Sequence, residues 1–245
     1  MNDAYKLEVI AFTLESCRTI QSSGAHRIEL CDNAAEGGTT ASYGMIRAAR
    51  ELVTIDLFPI IRPRGGDFLY SDEEFAIMKQ DVTLCRQLGC DGVVVGLLTR
   101  NGRIDIKRTA QLVEMAYPLE VTFHRAFDHC ADPFEALDQL VQIGCQRILT
   151  SGQHPTAPEG AGLLARLVKA ADDRIIVMPG SGVRVNNIKA LADETGAREF
   201  HSSLRSRAKT NMEFIHPAFP DAGESYSHPT VTGDDIKELL KALNS

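Results

Sequence analysis

Four ionisable side chains lie in or directly after short apolar runs that have the composition of β-strands. Glu8 and Glu29 lie in the first two runs, and Arg62 and His124 end two later ones. Two acids confined with a guanidinium and an imidazole shift one another's pKa values, which is the usual setting for proton transfer. We therefore predict that these four residues form a catalytic site, in which His124 or a glutamate is the base and Arg62 binds an anion. The competing interpretation is a structural layer of ion pairs.

Small residues follow the seventh and eighth predicted strands. They are Gly180, Ser181, Gly182, Ser202 and Ser203. Glycines leave backbone N–H groups uncovered, and a helix starting near Asn186 would direct its positive end to the same place. We predict that phosphate or a phosphorylated metabolite binds here. A tight structural turn is the alternative.

The six cysteines include no CxxC pair, so a zinc knuckle is not indicated. Three of them fall on a helix stripe or just before a strand and are expected in the core: Cys85, Cys90 and Cys145. Cys31 ends the second predicted strand and is the candidate metal ligand, with Cys17 or Cys130 as a further ligand. Thiolates of this kind would suit a soft ion such as Cu(I).

Eight apolar, β-branched runs alternate with longer helical stretches, and this alternation predicts a single-domain (β/α)8 barrel. The predicted strands are residues 7–12, 27–31, 57–61, 92–98, 120–126, 147–150, 174–178 and 197–201. In such a barrel the active or binding site lies at the carboxyl ends of the strands, where the residues above are found. A doubly wound open sheet is less favoured because no GxGxxG turn is present.

Local signals support the eight units. Four glycines precede a small residue, two mostly polar residues and a strand, at intervals that each hold two βα units: Gly24, Gly89, Gly144 and Gly196. Ser71 and Glu74 have the spacing of a capping box at a helix start. Pro59 is unusual inside the third strand, because it cannot donate to a strand ladder. Residues 204–233 are predicted as a long irregular segment that forms a lid, a wrap or an interface before the final helix.

Composition limits the classes of partner. The chain has 245 residues, a net charge of −7 and 44% hydrophobic residues. An acidic chain without a block of Lys and Arg is not expected to bind nucleic acid or an anionic membrane. The N-terminal stretch lacks the pattern of a signal peptide, and no apolar run has the length of a membrane span. We therefore expect a cytoplasmic protein with reduced cysteines.

Several segments resemble the CutC copper homeostasis protein family. They are RIELC at 27–31, EGGTT at 36–40, IRPRGGDF at 61–68, VTFHRAFD at 121–128, LTSG at 149–152 and EFHS at 199–202. The resemblance implies a (β/α)8 barrel, a cytoplasmic homodimer and a role in copper homeostasis through Cu(I) handling, with Cys31 at the strand-2 cysteine of the family. Some members associated with copper also have a cysteine on strand 1, where this chain has Ile10. We therefore predict at most weak Cu(I) binding, dependent on Cys31.

Two classes of function follow. The first is a copper-handling protein that uses Cys31. The second is an enzyme, or a non-catalytic binding protein, for a small anionic or phosphorylated metabolite. The charged residues favour the second class, because Cu(I) does not need hard oxygen ligands.

Overall fold

Eight βα units account for most of the residues that the structure describes, which are 5–217 and 226–245 of this computed structural model. The barrel strands are β1 (Lys6–Ala11), β2 (Arg27–Leu30), β3 (Asp56–Pro59), β4 (Gly92–Val95), β5 (Glu120–Phe123), β6 (Arg147–Thr150), β7 (Ile176–Pro179) and β8 (Glu199–Ser202). The helices are α1 (Leu14–Ser22), α2 (Tyr43–Leu52), α3 (Asp72–Gln87), α4 (Ile106–Ala116), α5 (Pro133–Gln142), α6 (Ala161–Ala171), α7 (Ile188–Thr195) and α8 (Gly233–Leu243).

The strands surround one interior in cyclic order. One parallel sheet has the order β3-β2-β1-β8 and the other the order β4-β5-β6-β7. Ile60, which follows β3, forms a parallel bridge with Val94 of β4. At the second seam β7 and β8 pack side by side. This arrangement confirms the predicted (β/α)8 barrel.

Side chains alternate along each strand between the interior and the helices. In β1, Leu7 and Val9 join the large outer core beneath the helices, whereas Ile10 belongs to a small apolar cluster inside the barrel with Phe58 and Cys31. Glu8 also faces inward, since its carboxylate bonds to interior partners described below. The alternation places every second strand residue in the barrel interior.

Two barrel strands end earlier than predicted. β3 ends at Pro59, although the backbone N–H of Ile60 still donates to Leu30 O of β2 at 3.0 Å, and Ile60 also forms a bridge with Val94 of β4. β4 ends before Gly96, where a side chain would collide with another element. A Cβ at Gly96 would lie 2.2 Å from Cε1 of His124, so the missing side chain makes room for that imidazole.

The helix signals are confirmed. Ser71 Oγ accepts from the backbone N–H of Glu74, and Glu74 Oε2 accepts from the backbone N–H of Ser71, at 3.2 and 2.8 Å. The four glycines of the repeated pattern all have positive φ, between 71° and 89°, just before β2, β4, β6 and β8. Such backbone suits glycine because it has no Cβ.

The segment 204–233 is less irregular than predicted. It contains two short strands, β9 (Ser206–Lys209) and β10 (Ser227–Thr230), that pair antiparallel. Their sequences, SRAK and SHPT, lack apolar alternation, which is why the pairing left no signal in the sequence. Residues 218–225 lie outside the described part of the chain. Among the helices that are described, none has the length and apolar character needed to cross a bilayer.

Candidate functional site

Four buried charged residues form an ion layer in the lower barrel interior, and the half-exposed Glu120 lies at its edge. Arg27 donates to Glu8 Oε2 at 2.5 Å and to Glu199 Oε2 at 2.6 Å. Arg147 donates to the same Glu199 oxygen at 2.7 Å and to Glu120 Oε2 at 3.1 Å. Arg27 and Glu8 are each only 1% exposed. Buried charges of this kind are tolerated only when they are paired, so this ion layer is structural.

Glu8 connects the ion layer to the carboxyl ends of the strands. Its Oε1 lies 2.7 Å from Nδ1 of His201 in β8. Burial raises the pKa of Glu8, but the charge of Arg27 and the hydrogen bond from His201 outweigh it and lower the pKa to about 2. Burial lowers the pKa of His201, but the Glu8 hydrogen bond and the charge of Glu29 outweigh burial and raise it. Glu8 is therefore a carboxylate whose hydrogen bond favours the protonated form of His201.

Above this pair, a cavity of about 300 Å³ opens where the barrel strands end. Among the described residues that line it, Glu29 is the single carboxylate. Four arginines line the same cavity: Arg62, Arg125, Arg184 and Arg205. A concave site lined mainly by one sign of charge concentrates ligands of the opposite sign.

Glu29 and His201 lie on the wall of this cavity. His201 Nε2 is 3.8 Å from Glu29 Oε2, and the nearby thiol of Cys31 lowers the pKa of Glu29. Burial raises the pKa of Glu29 to about 7, with Glu8 adding to the rise and His201 opposing it. A carboxyl group that titrates near neutrality can both accept and donate a proton.

His124 also lines the cavity, in a tautomer that its surroundings define. Its Nδ1 accepts the backbone N–H of Ala126 at 3.1 Å, so the ring proton is on Nε2. Burial and the nearby charge of Arg62 lower the pKa of His124 to about 3. Nε2 is buried and has no hydrogen-bond partner among the described residues. This geometry favours a neutral hydrogen-bond donor over the base expected from the sequence.

Arg62 forms hydrogen bonds with two loops at the edge of the cavity. Nη1 donates to the carbonyls of Glu36 and Gly38 at 2.7 and 2.8 Å, and Nη2 donates to the carbonyl of Gly66 at 2.8 Å. The guanidinium also lies 5.2 Å from the ring centroid of Phe68. Nε is buried and unpartnered within the described structure. Arg62 can therefore offer a ligand Nε–H, but not the bidentate clamp expected from the sequence.

The predicted anion-binding residues divide into two groups. Ser181, Gly182 and Ser203 line the cavity together with Arg184 and Arg205. Gly182 has a φ of 71°, and a Cβ there would lie 3.0 Å from the side chain of a neighbouring loop. The loops after β7 and β8 thus face one cavity, on the side where Arg184 and Arg205 lie.

Gly180 and Ser202 do not offer hydrogen bonds to the cavity. The backbone N–H of Gly180 already donates to Thr150 O at 2.9 Å. Ser202 Oγ donates to Val183 O at 2.9 Å and is buried. Ser202 lies one residue after His201 in the same strand, so its side chain points away from the interior.

Copper chemistry is a poor match to the metal-ligating groups present. Cys31 is buried beside Glu29, and burial with the charges of Glu29 and Glu8 raises the pKa of its thiol well above the ordinary value. Cys17 and Cys130 belong to the outer core, separate from the interior cluster of Cys31. The three-residue group that could hold a metal, within the described residues, is Glu8, Glu29 and His201. Two of its three donors are carboxylates, which do not suit Cu(I), since this ion selects thiolates and thioethers.

His201 and the arginines at 125, 184 and 205 were not among the residues predicted to form the site. Alternation could have found His201, because Glu199 and His201 share a face of the eighth strand and Ser202 is on the opposite one. Arg184 and Arg205 lie in loops, where no periodicity places a side chain, and Arg125 begins a short 3-10 helix after β5. Their positions required the fold.

An α/β barrel with an arginine-lined cavity at the carboxyl ends of its strands is the class that this structure defines. The CutC family model matches residues 5–206. A CutC family protein of Chromobacterium violaceum is 48% identical over 241 residues, covering 97% of this chain and 98% of the relative. The chain belongs to the CutC family.

Solved structures agree with this assignment. A Streptococcus agalactiae CutC protein, named for copper homeostasis, is 36% identical with a TM-score of 0.78, over 81% of this chain and 98% of its own. A thiamine phosphate pyrophosphorylase from Pyrococcus furiosus is 17% identical with a TM-score of 0.60, over 99% of this chain and 96% of its own. The second likeness is one of fold alone.

Proposed function

We propose that this protein binds a small phosphorylated metabolite in the barrel cavity and transfers a proton to or from it. The observation that carries the proposal is the charge of the cavity wall, where four arginines and His201, whose pKa is raised by Glu8 and Glu29, surround one carboxyl group, Glu29. Since such a wall repels cations and attracts anions, a small anion is the ligand that it fits.

The phosphate group would bind between the loops after β7 and β8. Ser181, Gly182 and Ser203 provide small residues there, and Arg184 and Arg205 provide positive charge. Loops at this place in (β/α)8 barrels often bind phosphate. The rest of the ligand would extend across the cavity toward Glu29.

Glu29 is the residue suited to proton transfer. Its pKa of about 7 leaves comparable amounts of acid and base near neutrality, and it lies on the cavity wall. His201 lies 3.8 Å away and is fixed by Glu8, so this pair orients the Glu29 carboxyl group. Glu8 itself is beneath the wall and acts through His201.

Thermal melting with millimolar phosphate, against chloride at equal ionic strength, tests the binding step. A ligand that binds only the folded state raises its apparent stability by mass action, so the melting temperature should rise with phosphate. Arg184→Gln and Arg205→Gln should each reduce this rise. Arg174→Gln is a matched control, because Arg174 pairs with Asp138 just before β7, at the opposite end of the barrel.

The outcomes separate clearly. A phosphate response that weakens in the two cavity variants and persists in Arg174→Gln supports the site. Equal responses in all three variants, or no phosphate-specific response in the wild-type protein, would contradict it.

Copper handling is the second candidate function, supported by the family and by the name of the Streptococcus relative. In this chain Cys31 would be the ligand. A single buried thiol with a raised pKa should bind Cu(I) weakly. Titration against a competing Cu(I) chelator should show weak binding that is lost in Cys31→Ser and retained in Cys130→Ser. Tight stoichiometric binding that survives Cys31→Ser would show that the ligand assignment is wrong.

A further inference from the structure

We infer that His124 Nε2–H and Arg62 Nε–H form an oxygen-binding pair, so that the ligand of the proposed site carries a carbonyl or carboxylate group in addition to its phosphate. This inference rests on the proposed function, because it assumes that a phosphorylated ligand occupies the cavity. It adds the chemical class of the part of the ligand that lies away from the phosphate.

Two buried donors without partners point to a missing acceptor. His124 is 4% exposed and Arg62 is 6% exposed, and both line the cavity. His124 Nε2 and Arg62 Nε have no hydrogen-bond partner in residues 5–217 and 226–245. Leaving a buried donor unpaired is costly, so two such donors on residues that line one cavity are expected to have a functional partner.

The surroundings hold both donors in place. The imidazole of His124 is fixed by the Ala126 N–H on Nδ1 and fits the space left by Gly96. Arg62 is fixed through its Nη atoms by three loop carbonyls. The ring of Phe68 contacts both, with centroids 5.0 Å from the imidazole and 5.2 Å from the guanidinium carbon. Both side chains therefore contact the same aromatic ring, and these interactions restrict their rotation.

The chemistry of these donors selects an oxygen acceptor. A neutral imidazole N–H and a guanidinium N–H both donate, and neither accepts. Fixed donors of this kind stabilise negative charge on a carbonyl-derived oxygen, which is the arrangement of an oxyanion hole. In the proposed function, the loops after β7 and β8 bind the phosphate group on the opposite side of the cavity. The remaining acceptor is therefore a carbonyl or carboxylate oxygen.

Two probes with one skeleton test this inference. 2-Phosphoglycolate carries a carboxylate where ethyl phosphate carries a methyl group, and the phosphate ends are the same. Calorimetry should show that the wild-type protein binds 2-phosphoglycolate more tightly than ethyl phosphate. His124→Phe removes the donor without changing the charge, so it should reduce this preference about tenfold or more while leaving the affinity for ethyl phosphate unchanged.

A second variant distinguishes the loss of the Nε2–H donor from a disturbance of the local fold. His124→Asn keeps a short side-chain acceptor for the Ala126 N–H, since Asn is a favourable residue at a helix start, but it loses the nitrogen that reaches the cavity. It should reproduce the loss seen in His124→Phe. In spectra of ¹⁵N-histidine-labelled wild-type protein, the Nε2–H signal of His124 should move on addition of 2-phosphoglycolate and not of ethyl phosphate.

Each result decides a different claim. A wild-type preference that is lost in both His124 variants, with ethyl phosphate binding kept, supports the inference. Equal affinity for the two probes, or a preference that survives in both variants, would overturn the inference and leave the phosphate site standing. Binding of neither probe would overturn the proposed function and the inference together.

Discussion

The barrel interior contains two neighbouring charged regions that use the same residue types in opposite ways. In the ion layer, Arg27 and Arg147 share Glu199, and nearly every charged atom has a partner. The exception is Arg27 Nη1, whose guanidinium lies 5.0 Å from the ring centroid of Phe58. In the cavity above, among the residues that the structure describes, His124 and Arg62 each keep an unpartnered donor and the carboxyl group of Glu29 is not paired with an arginine.

The difference shows how charge alone fails to identify a site. A buried ion layer and a ligand site both place acids and bases inside a barrel, and both shift pKa values. What separates them is whether the partners are complete. In the ion layer every carboxylate is paired with an arginine, which makes the layer structural, whereas at the cavity a carboxyl group and two N–H donors are left for a ligand.

The largest expected effect is on the ion layer. Arg27→Met keeps the side-chain volume but removes the partner of Glu8 and Glu199, which leaves two buried carboxylates short of positive charge. The free energy of unfolding should fall by about 3–5 kcal/mol, measured by urea denaturation at pH 7.

An exposed pair on α2 is the control for this variant. Arg47 and Glu51 are 57% and 66% exposed and lie 2.9 Å apart. Arg47→Met should change the free energy of unfolding far less, because exposed ion pairs on helices contribute little to stability. If Arg27→Met proved as mild as Arg47→Met, the ion layer would not be the closed structural region described above.

A smaller effect is expected when one glutamate in each region, Glu8 or Glu29, is replaced by glutamine. The free energy of unfolding should change in opposite directions in the two variants. The pKa of Glu8 is lowered to about 2, so its carboxylate stabilises the fold above pH 4.5, and this stabilisation is lost as the pH falls toward 2. The pKa of Glu29 is raised to about 7, so its contribution is complete below pH 4.5 and is lost as the pH rises through 7. Gln mimics the neutral acid in both places.

At pH 8, therefore, Glu8→Gln should lower the free energy of unfolding and Glu29→Gln should raise it, each by about 1–3 kcal/mol. At pH 4.5 the gain from Glu29→Gln should have largely disappeared. Denaturation curves of the two variants at both pH values are the measurement. Destabilisation by both substitutions at pH 8 would remove the distinction between the two glutamates.

The sequence predicted the barrel well because periodicity and glycine placement report on strands and helices directly. It was less informative about which charged residues have hydrogen-bonding groups left for a ligand. Glu8 and Arg62 have the residue types and strand positions of site residues, but Arg27 in one case and three loop carbonyls in the other engage most of their hydrogen-bonding groups. Pairing of this kind depends on residues distant in sequence, such as Glu199 with Arg27. No local pattern records it.

The smallest expected effect lies at the boundary between the closed interior and the open cavity, in two adjacent serines. Ser202 donates to Val183 O away from the cavity, whereas Ser203 lines it. Ser202→Ala should lower the free energy of unfolding by about 1 kcal/mol, because it removes one of the two hydrogen bonds to Val183 O, which also accepts from Arg184 Nη1 at 2.8 Å. It should not change the rise in melting temperature with phosphate. Ser203→Ala should do the reverse, with little change in stability and a weaker phosphate response. Melting curves of both variants with phosphate and with chloride measure the two effects together. A phosphate response lost in Ser202→Ala but kept in Ser203→Ala would mean that the outward face of β8, and not the cavity, binds the anion.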